Sequence, residues 1–273
     1  MRWNLNGKTA LITGAARGFG AGIAERLAAR GMNLVLAGLE PVRMQEIAAR
    51  VGGKVLVVEA DVTVLEQMQY AVQEGIAHFG GIDVVVANAG IATVAPLAEI
   101  DPALFRKVIE VNLMGVFNTL HSSAASVFSR QGYFLVISSM AYAINSPLQA
   151  HYTASKAGVT AMANSFRLEA RTYGADVGIV HPTFAKTDMM KSAHNEPGGK
   201  EIWNSNTGIW KQVEPEEVMD AIVHAISTRA RTTVVPKTLW PVLASPGIFQ
   251  PILERSFSVP RVRAMLAAFR QPS

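Results

Sequence analysis

Seven short apolar, β-branched runs separated by helical patterns constrain this chain more than any other feature. They are Thr9–Thr13 (TALIT), Asn33–Ala37, Lys54–Ala60, Ile82–Ala87, Tyr133–Ser138, Asp176–His181 and Thr232–Pro236. Runs of this kind read as strands buried on both faces. Helical pattern fills 21–30, 41–50, 64–79, 101–130, 152–173 and 214–228, whereas 187–212 is polar, glycine-bearing and irregular. Strand–helix alternation implies right-handed βαβ units. The expected fold class is therefore α/β: a doubly wound, mainly parallel, seven-stranded sheet with helices on both faces. No linker rich in Gly, Ser or Pro precedes residue 236. One domain over 1–236 is expected, followed by an extension over 237–273.

In such sheets ligands sit beyond the carboxyl ends of the strands. Those ends carry the polar and glycine residues here. The first strand runs into Gly14-Ala15-Ala16-Arg17-Gly18-Phe19-Gly20 and then a helix. That is the layout of a phosphate-binding turn: the backbone approaches the anion and the helix N-terminus stabilises its charge. Asp61, Asn88, Ser139 and Thr183–Thr187 fall at other strand ends. Tyr152 and Lys156 stand four residues apart, which places them on one helical face. A phenol titrates near pH ~10. A neighbouring ammonium is expected to pull that value down and let the pair exchange a proton with an alcohol or ketone.

Thr13-Gly14-x-x-x-Gly18-x-Gly20, Asp61, Asn88-Ala89-Gly90, Asn112, Ser139 and Tyr152-x-x-x-Lys156 together resemble the short-chain dehydrogenase/reductase family over roughly residues 5–236. The resemblance implies a Rossmann-type sheet, an NAD(P) cofactor and hydride transfer between an alcohol and a ketone. It implies dimers or tetramers built on the helices near 103–130 and 151–173. Tyr152 would be the general acid/base. Lys156 would lower its pKa and hold the nicotinamide ribose, and Ser139 would stabilise the substrate oxygen. Asn112 would hold a proton-relaying water. Gly14, Gly18 and Gly20 would line the pyrophosphate loop, Asp61 would accept from the adenine amine, and Asn88 would brace the sheet. Thr187 would meet the carboxamide, with Phe19, Val62, Ala89, Gly90 and Pro182 completing the cofactor surface. One departure stands out: the family commonly has Pro-Gly after the sixth strand, and this chain has Pro182-Thr183.

An NAD-preferring site usually has an acidic residue at the end of the second strand. That position is Gly38, and Glu40 lies two residues on. Arg17, with Arg43 as a second partner, suits a 2′-phosphate through its planar fork. NADP(H) is therefore favoured, with NAD(H) as the alternative. Met189, Met190, Trp203 and Trp210 suit either an apolar pocket or core and subunit contacts, and on the pocket reading the expected substrate is a bulky apolar ketone or secondary alcohol. A catalytically silent dinucleotide sensor or scaffold on the same fold is the competing reading, and the proton-relay residues argue against it. A sugar-nucleotide epimerase or dehydratase would more often carry a GxxGxxG loop.

The chain has no cysteine, which excludes disulfides, thiolate metal sites and a cysteine nucleophile. Its six histidines show no metal spacing, so no catalytic metal is expected, and His151 reads as structural. No leader and no long uncharged apolar run is evident, and a cytoplasmic protein is expected. The +4 net charge resides entirely in 237–273, where Lys237, Arg255, Arg261, Arg263 and Arg270 face only Glu254. A nucleic-acid reader would show a basic face on the body instead. Proline breaks the apolar tail, while 261–270 could form a basic helix. Lid or subunit packing, or peripheral contact with an anionic membrane, are the roles expected for it.

Overall fold

The computed structural model describes residues 2–202 and 211–270. Its strands are β1 (Thr9–Thr13), β2 (Asn33–Gly38), β3 (Val55–Glu59), β4 (Val84–Ala87), β5 (Tyr133–Ile137), β6 (Asp176–Pro182) and β7 (Thr232–Val235). They form one sheet in the order β3-β2-β1-β4-β5-β6-β7, and every pairing is parallel. Chain direction across the sheet reverses between β1 and β4, and ligand crevices of doubly wound folds open at such a point.

Helices cover both faces: α1 (Gly18–Ala28), α2 (Pro41–Val51), α3 (Leu65–Phe79), α4 (Pro102–Ile109), α5 (Gly115–Ser129), α6 (Ala150–Ala170), α7 (Asp188–Asn195), α8 (Gly199–Ile202) and α9 (Pro215–Thr228). Strand side chains alternate between faces, so each strand feeds two cores. Ala10 and Ile12 of β1 point toward α1, α2 and α9, packing with Ile23, Leu27, Met44 and Ile226. Leu11, between them, joins Met68, Val72, Leu120, Phe134 and Val159 under α3, α5 and α6. Burying a side chain of this size stabilises the fold by about 1.5–3 kcal/mol.

Two expectations need correction. The helix expected over 101–130 is interrupted by a π-helical turn, Glu110–Met114, where the Gly115 amide bonds to the Glu110 carbonyl. Hydrophobic periodicity cannot register a single wide turn, and Asn112 lies inside it. The stretch 187–212, expected to be irregular, contains α7 and α8. The Thr187 hydroxyl accepts the Met190 amide (3.3 Å) and Asp188 sits at the positive end of α7. Trp203 and Trp210 lie outside the described residues.

The tail folds as three helices, α10 (Trp240–Ala244), α11 (Pro246–Glu254) and α12 (Val259–Phe269), the last matching the basic helix expected there. Leu239 and Val242 pack on Met140, Ala143 and Ile144 just after β5. Met265 of α12 is fully buried with Val94, Leu148, Ala193 and Ile202, and Arg270 pairs with Glu99 (Nε–Oε1 3.1 Å). Ile248 and Ile252 remain exposed on α11. No helix among the described residues is long and apolar enough to cross a membrane.

The far edge of the sheet is tied down by Tyr133, whose buried hydroxyl donates to the Ala230 carbonyl at 2.7 Å. Tyr133→Phe leaves that carbonyl unpaired. Urea denaturation should show a loss of about 1–2 kcal/mol with an unchanged m-value.

Candidate active site

The glycine loop leaves β1 through Gly14, whose φ of +64° is the left-handed conformation that disfavours side chains. A Cβ at Gly18 (φ +54°) would meet no atom within 4 Å, so the loop leaves open space above the start of α1. The first turn of α1 has no side-chain cap and no acidic residue. Its orphan amides and positive end can therefore receive an anion. Thr13 and Asn88 lock this loop to the neighbouring strand. Thr13 Oγ1 accepts the Asn88 and Ala89 amides (3.1 and 3.2 Å), and Asn88 Nδ2 donates to the Thr13 and Gly14 carbonyls (3.0 and 3.3 Å). Motif spacing marks Thr13 only as the start of the glycine loop; its position at the carboxyl end of β1 is the signal for this bracing.

A cleft of about 1060 Å³ runs from this loop across the carboxyl ends of the strands. That exceeds what a single drug-sized ligand fills, and leaves room for a dinucleotide and a substrate. Gly14, Arg17, Gly18, Phe19, Asp61, Val62, Asn88, Ala89, Gly90, Ser139, Tyr152, Lys156, Pro182 and Thr187 all line it. Gly20 and Asn112, expected in the same site, do not. Gly20 lies behind the loop, where a Cβ would come 2.2 Å from the Gly14 carbonyl oxygen. Asn112 is wholly buried: Oδ1 accepts the Ile91 amide (2.8 Å), and Nδ2 donates to the Ile91 carbonyl (2.9 Å) and Ser155 Oγ (3.1 Å). It braces the segment after Asn88-Ala89-Gly90 against α6. Asp61 Oδ1 is occupied within its own turn, accepting the Thr63 amide and hydroxyl (2.9 and 2.8 Å).

Glu40 also lines the cleft. It sits between the two arginines expected to be free for a phosphate: Arg17 Nε donates to Oε1 (2.9 Å) and Arg43 Nε lies 3.1 Å from Oε2. The Arg17–Glu40 half of this clamp has no local signal, because Arg17 belongs to the β1 loop and Glu40 follows β2. All three side chains are partly exposed, so the pairs contribute little stability.

Tyr152 and Lys156 face the cleft from the first turns of α6. Lys156 Nζ donates to the Ile137 carbonyl at the end of β5 (2.9 Å) and lies 5.8 Å from the centroid of the Tyr152 ring. Burial pulls Lys156 down from 10.5 to about 8. Burial also raises the Tyr152 phenol, with a Ser139 hydrogen bond acting in the opposite sense. The sequence-based expectation of a lowered phenol is thus reversed in the protein alone, because desolvation is the largest cause and the Ser139 hydrogen bond only partly offsets it. Ser139 caps a 3₁₀ turn, Met140–Tyr142, through the Ala141 amide (3.1 Å), and its carbonyl faces His181 Nδ1 at 3.4 Å. His181 is buried and held down to about 4, mainly by desolvation. His151 lies behind Tyr152, its Nε2 on the Thr93 hydroxyl (2.9 Å) and carbonyl (3.0 Å). Ile91, Ile144, Phe184, Met189, Met190 and Ala193 give the rest of the cleft an apolar lining.

A family model described as short chain dehydrogenase matches residues 8–198. A 3-oxoacyl-(acyl-carrier-protein) reductase of Staphylococcus aureus is 34% identical over 195 residues, covering 69% of this chain and 79% of that protein. An L-rhamnose 1-dehydrogenase (NAD(P)(+)) of Azotobacter vinelandii is 30% identical over 234 residues, covering 82% and 91%. Among solved structures, a short chain dehydrogenase from Mycobacterium paratuberculosis bound to NAD has a TM-score of 0.75 at 27% identity, covering 85% of this chain and 97% of that one. An alcohol dehydrogenase from Thermococcus sibiricus complexed with 5-hydroxy-NADP has a TM-score of 0.72 at 29% identity, covering 83% and 94%.

The buried ammonium has a measurable signature. Between pH 8 and 10.5 the unfolded chain binds more protons at Lys156 than the folded one, so stability contributed there rises with pH. The penalty is complete below about 8 and absent above 10.5. Lys156→Met should therefore gain on the parent near pH 7, by at most ~3 kcal/mol. That advantage should shrink toward pH 10.5, as denaturant titrations at several pH values will measure.

Proposed function

Because this chain belongs to the short-chain dehydrogenase/reductase family, we propose that it moves a hydride between a nicotinamide cofactor and a bulky apolar ketone or secondary alcohol. The observation that carries this reading is the placement of Ser139, Tyr152 and Lys156 on the same cleft as an uncapped glycine-loop helix. Those residues fit the cofactor: open backbone for the pyrophosphate at Gly14–Gly18 and a polar wall from Asn88 to Thr187 for the rest. When bound, the nicotinamide ring supplies or takes up the hydride.

The protein does the proton work. A phenol kept neutral by burial is a proton donor. Tyr152 Oη would give its proton to the substrate oxygen as that atom gains electrons, which suits the reductive direction. Ser139 Oγ accepts from Ala141 and its hydroxyl is hydrogen-bonded to Tyr152, so it would share its proton with the same substrate oxygen. Lys156, anchored on Ile137, would hold the cofactor ribose and return a proton to Tyr152. Asn112 would fix the loop at Ile91 that forms the opposite wall.

NADP(H) is the proposed cofactor. Two guanidinium groups share one carboxylate at the ribose end, which leaves a net positive charge for a 2′-phosphate. The apolar lining from Ile91 to Ala193 supports the substrate class. The tail is assigned a lid role: α12 buries Met265 against Ala193 of α7, a helix that also lines the cleft.

An assay of NADPH and NADH oxidation over ketones of graded size tests the assignment. Tyr152→Phe should lower kcat by about 10²–10⁴ while cofactor affinity stays within about twofold. No turnover of any ketone, or a strong preference for NADH, would overturn the corresponding part. For the lid, Met265→Ala should raise KM for the largest active ketone several-fold and leave cofactor affinity unchanged. An unaltered KM in a folded variant removes that role.

A further inference from the structure

Thr183 sits immediately after β6, between Pro182 and Phe184, and lines the cleft on the side that also holds Ser139 and Thr187. Its backbone is settled: the amide donates to the Val235 carbonyl at 2.8 Å and continues the pairing with β7. Its side chain is not. The residue is only 9% exposed, and its hydroxyl has no hydrogen-bond partner in the protein. Three hydroxyls share that condition among the described residues: Ser122, Thr153 and Thr183. Only Thr183 lines the cleft.

A buried hydroxyl without a partner carries a desolvation penalty that a hydrogen bond would recover. The neighbouring hydroxyls are differently placed. Ser139 Oγ accepts from Ala141, and Thr187 Oγ1 accepts from Met190. Both therefore have an acceptor site already engaged, while Thr183 has its donor and its acceptor capacity intact. A carboxamide, which presents N–H donors and a carbonyl acceptor, matches a group of that kind.

Resting on the cofactor reading above, we propose that Thr183 Oγ1 is a binding group for the carboxamide at the nicotinamide end of the dinucleotide. The hydroxyl then has a partner only in the complex. Threonine at this position exchanges some stability of the free protein for affinity.

The test uses Thr183→Val, which keeps the branched shape and removes the hydroxyl, and Thr183→Ser, which keeps the hydroxyl. Calorimetric titration would compare NADPH, NADH and 2′-phospho-ADP-ribose, a fragment without the nicotinamide, alongside melting curves of each protein. Thr183→Val is expected to melt no lower than the parent and to bind the whole dinucleotide about 5- to 10-fold more weakly. It should bind the fragment as the parent does, and Thr183→Ser should bind the dinucleotide within about twofold of the parent. Unchanged dinucleotide affinity in Thr183→Val overturns the assignment. So does an equal loss for dinucleotide and fragment, which would mean a displaced backbone, or a lowered melting temperature, which would mean a structural hydroxyl. Failure of the unaltered protein to bind either dinucleotide overturns the cofactor reading and this assignment with it.

Discussion

The junction between β1 and β4 is the constraint on which the rest of the molecule depends. A parallel sheet sends all its carboxyl ends to one side, and at this junction the connecting helices go to opposite faces. The two strand ends would gape there without a tie. Thr13 and Asn88 supply it with four hydrogen bonds, two accepted by the threonine hydroxyl and two donated by the asparagine amide. The loop that follows β1 and the wall that follows β4 are thereby fixed to each other, and the cleft has its floor.

Above that floor the burial of two ionisable groups lowers stability. Lys156 is buried against a single carbonyl, and its charge is disfavoured by its surroundings. The Tyr152 phenol is held in its neutral form by the same loss of water. Neither arrangement helps the fold. Both are tolerated because the two sheet cores, with Leu11, Ile12, Leu34 and Phe134 wholly enclosed, supply ample stabilisation beneath them.

Much of this was legible in the sequence, since it depended on local pattern. β1 has the expected bounds, and the others differ by a residue or two at their ends, because buried parallel strands are contiguous apolar runs. The glycine loop and the Tyr152–Lys156 face were visible as spacings. What stayed hidden was produced by residues distant in sequence. Glu40 reaches Arg17 only because β2 lies beside β1. The direction of the Tyr152 shift depends on how deeply α6 seats the phenol, which no spacing encodes. The helices after Thr187 are short, and Ile202 of α8 packs with Val94 and Leu148 far upstream and with Met265 of a tail helix more than fifty residues later.

The π turn at Glu110–Met114 has a further consequence. An α-helix advances about 100° per residue, so one extra residue in a turn changes the phase of everything after it. α4 and α5 are therefore one rod with two orientations. Upstream, the phase buries Val108. Downstream, it buries Val116, Leu120 and Val127 and leaves Phe117 facing outward. The residue that braces the cleft and the choice of which α5 side chains meet the outside world are set by the same irregularity. A length change inside that turn would redraw the exterior and the cleft in a single stroke.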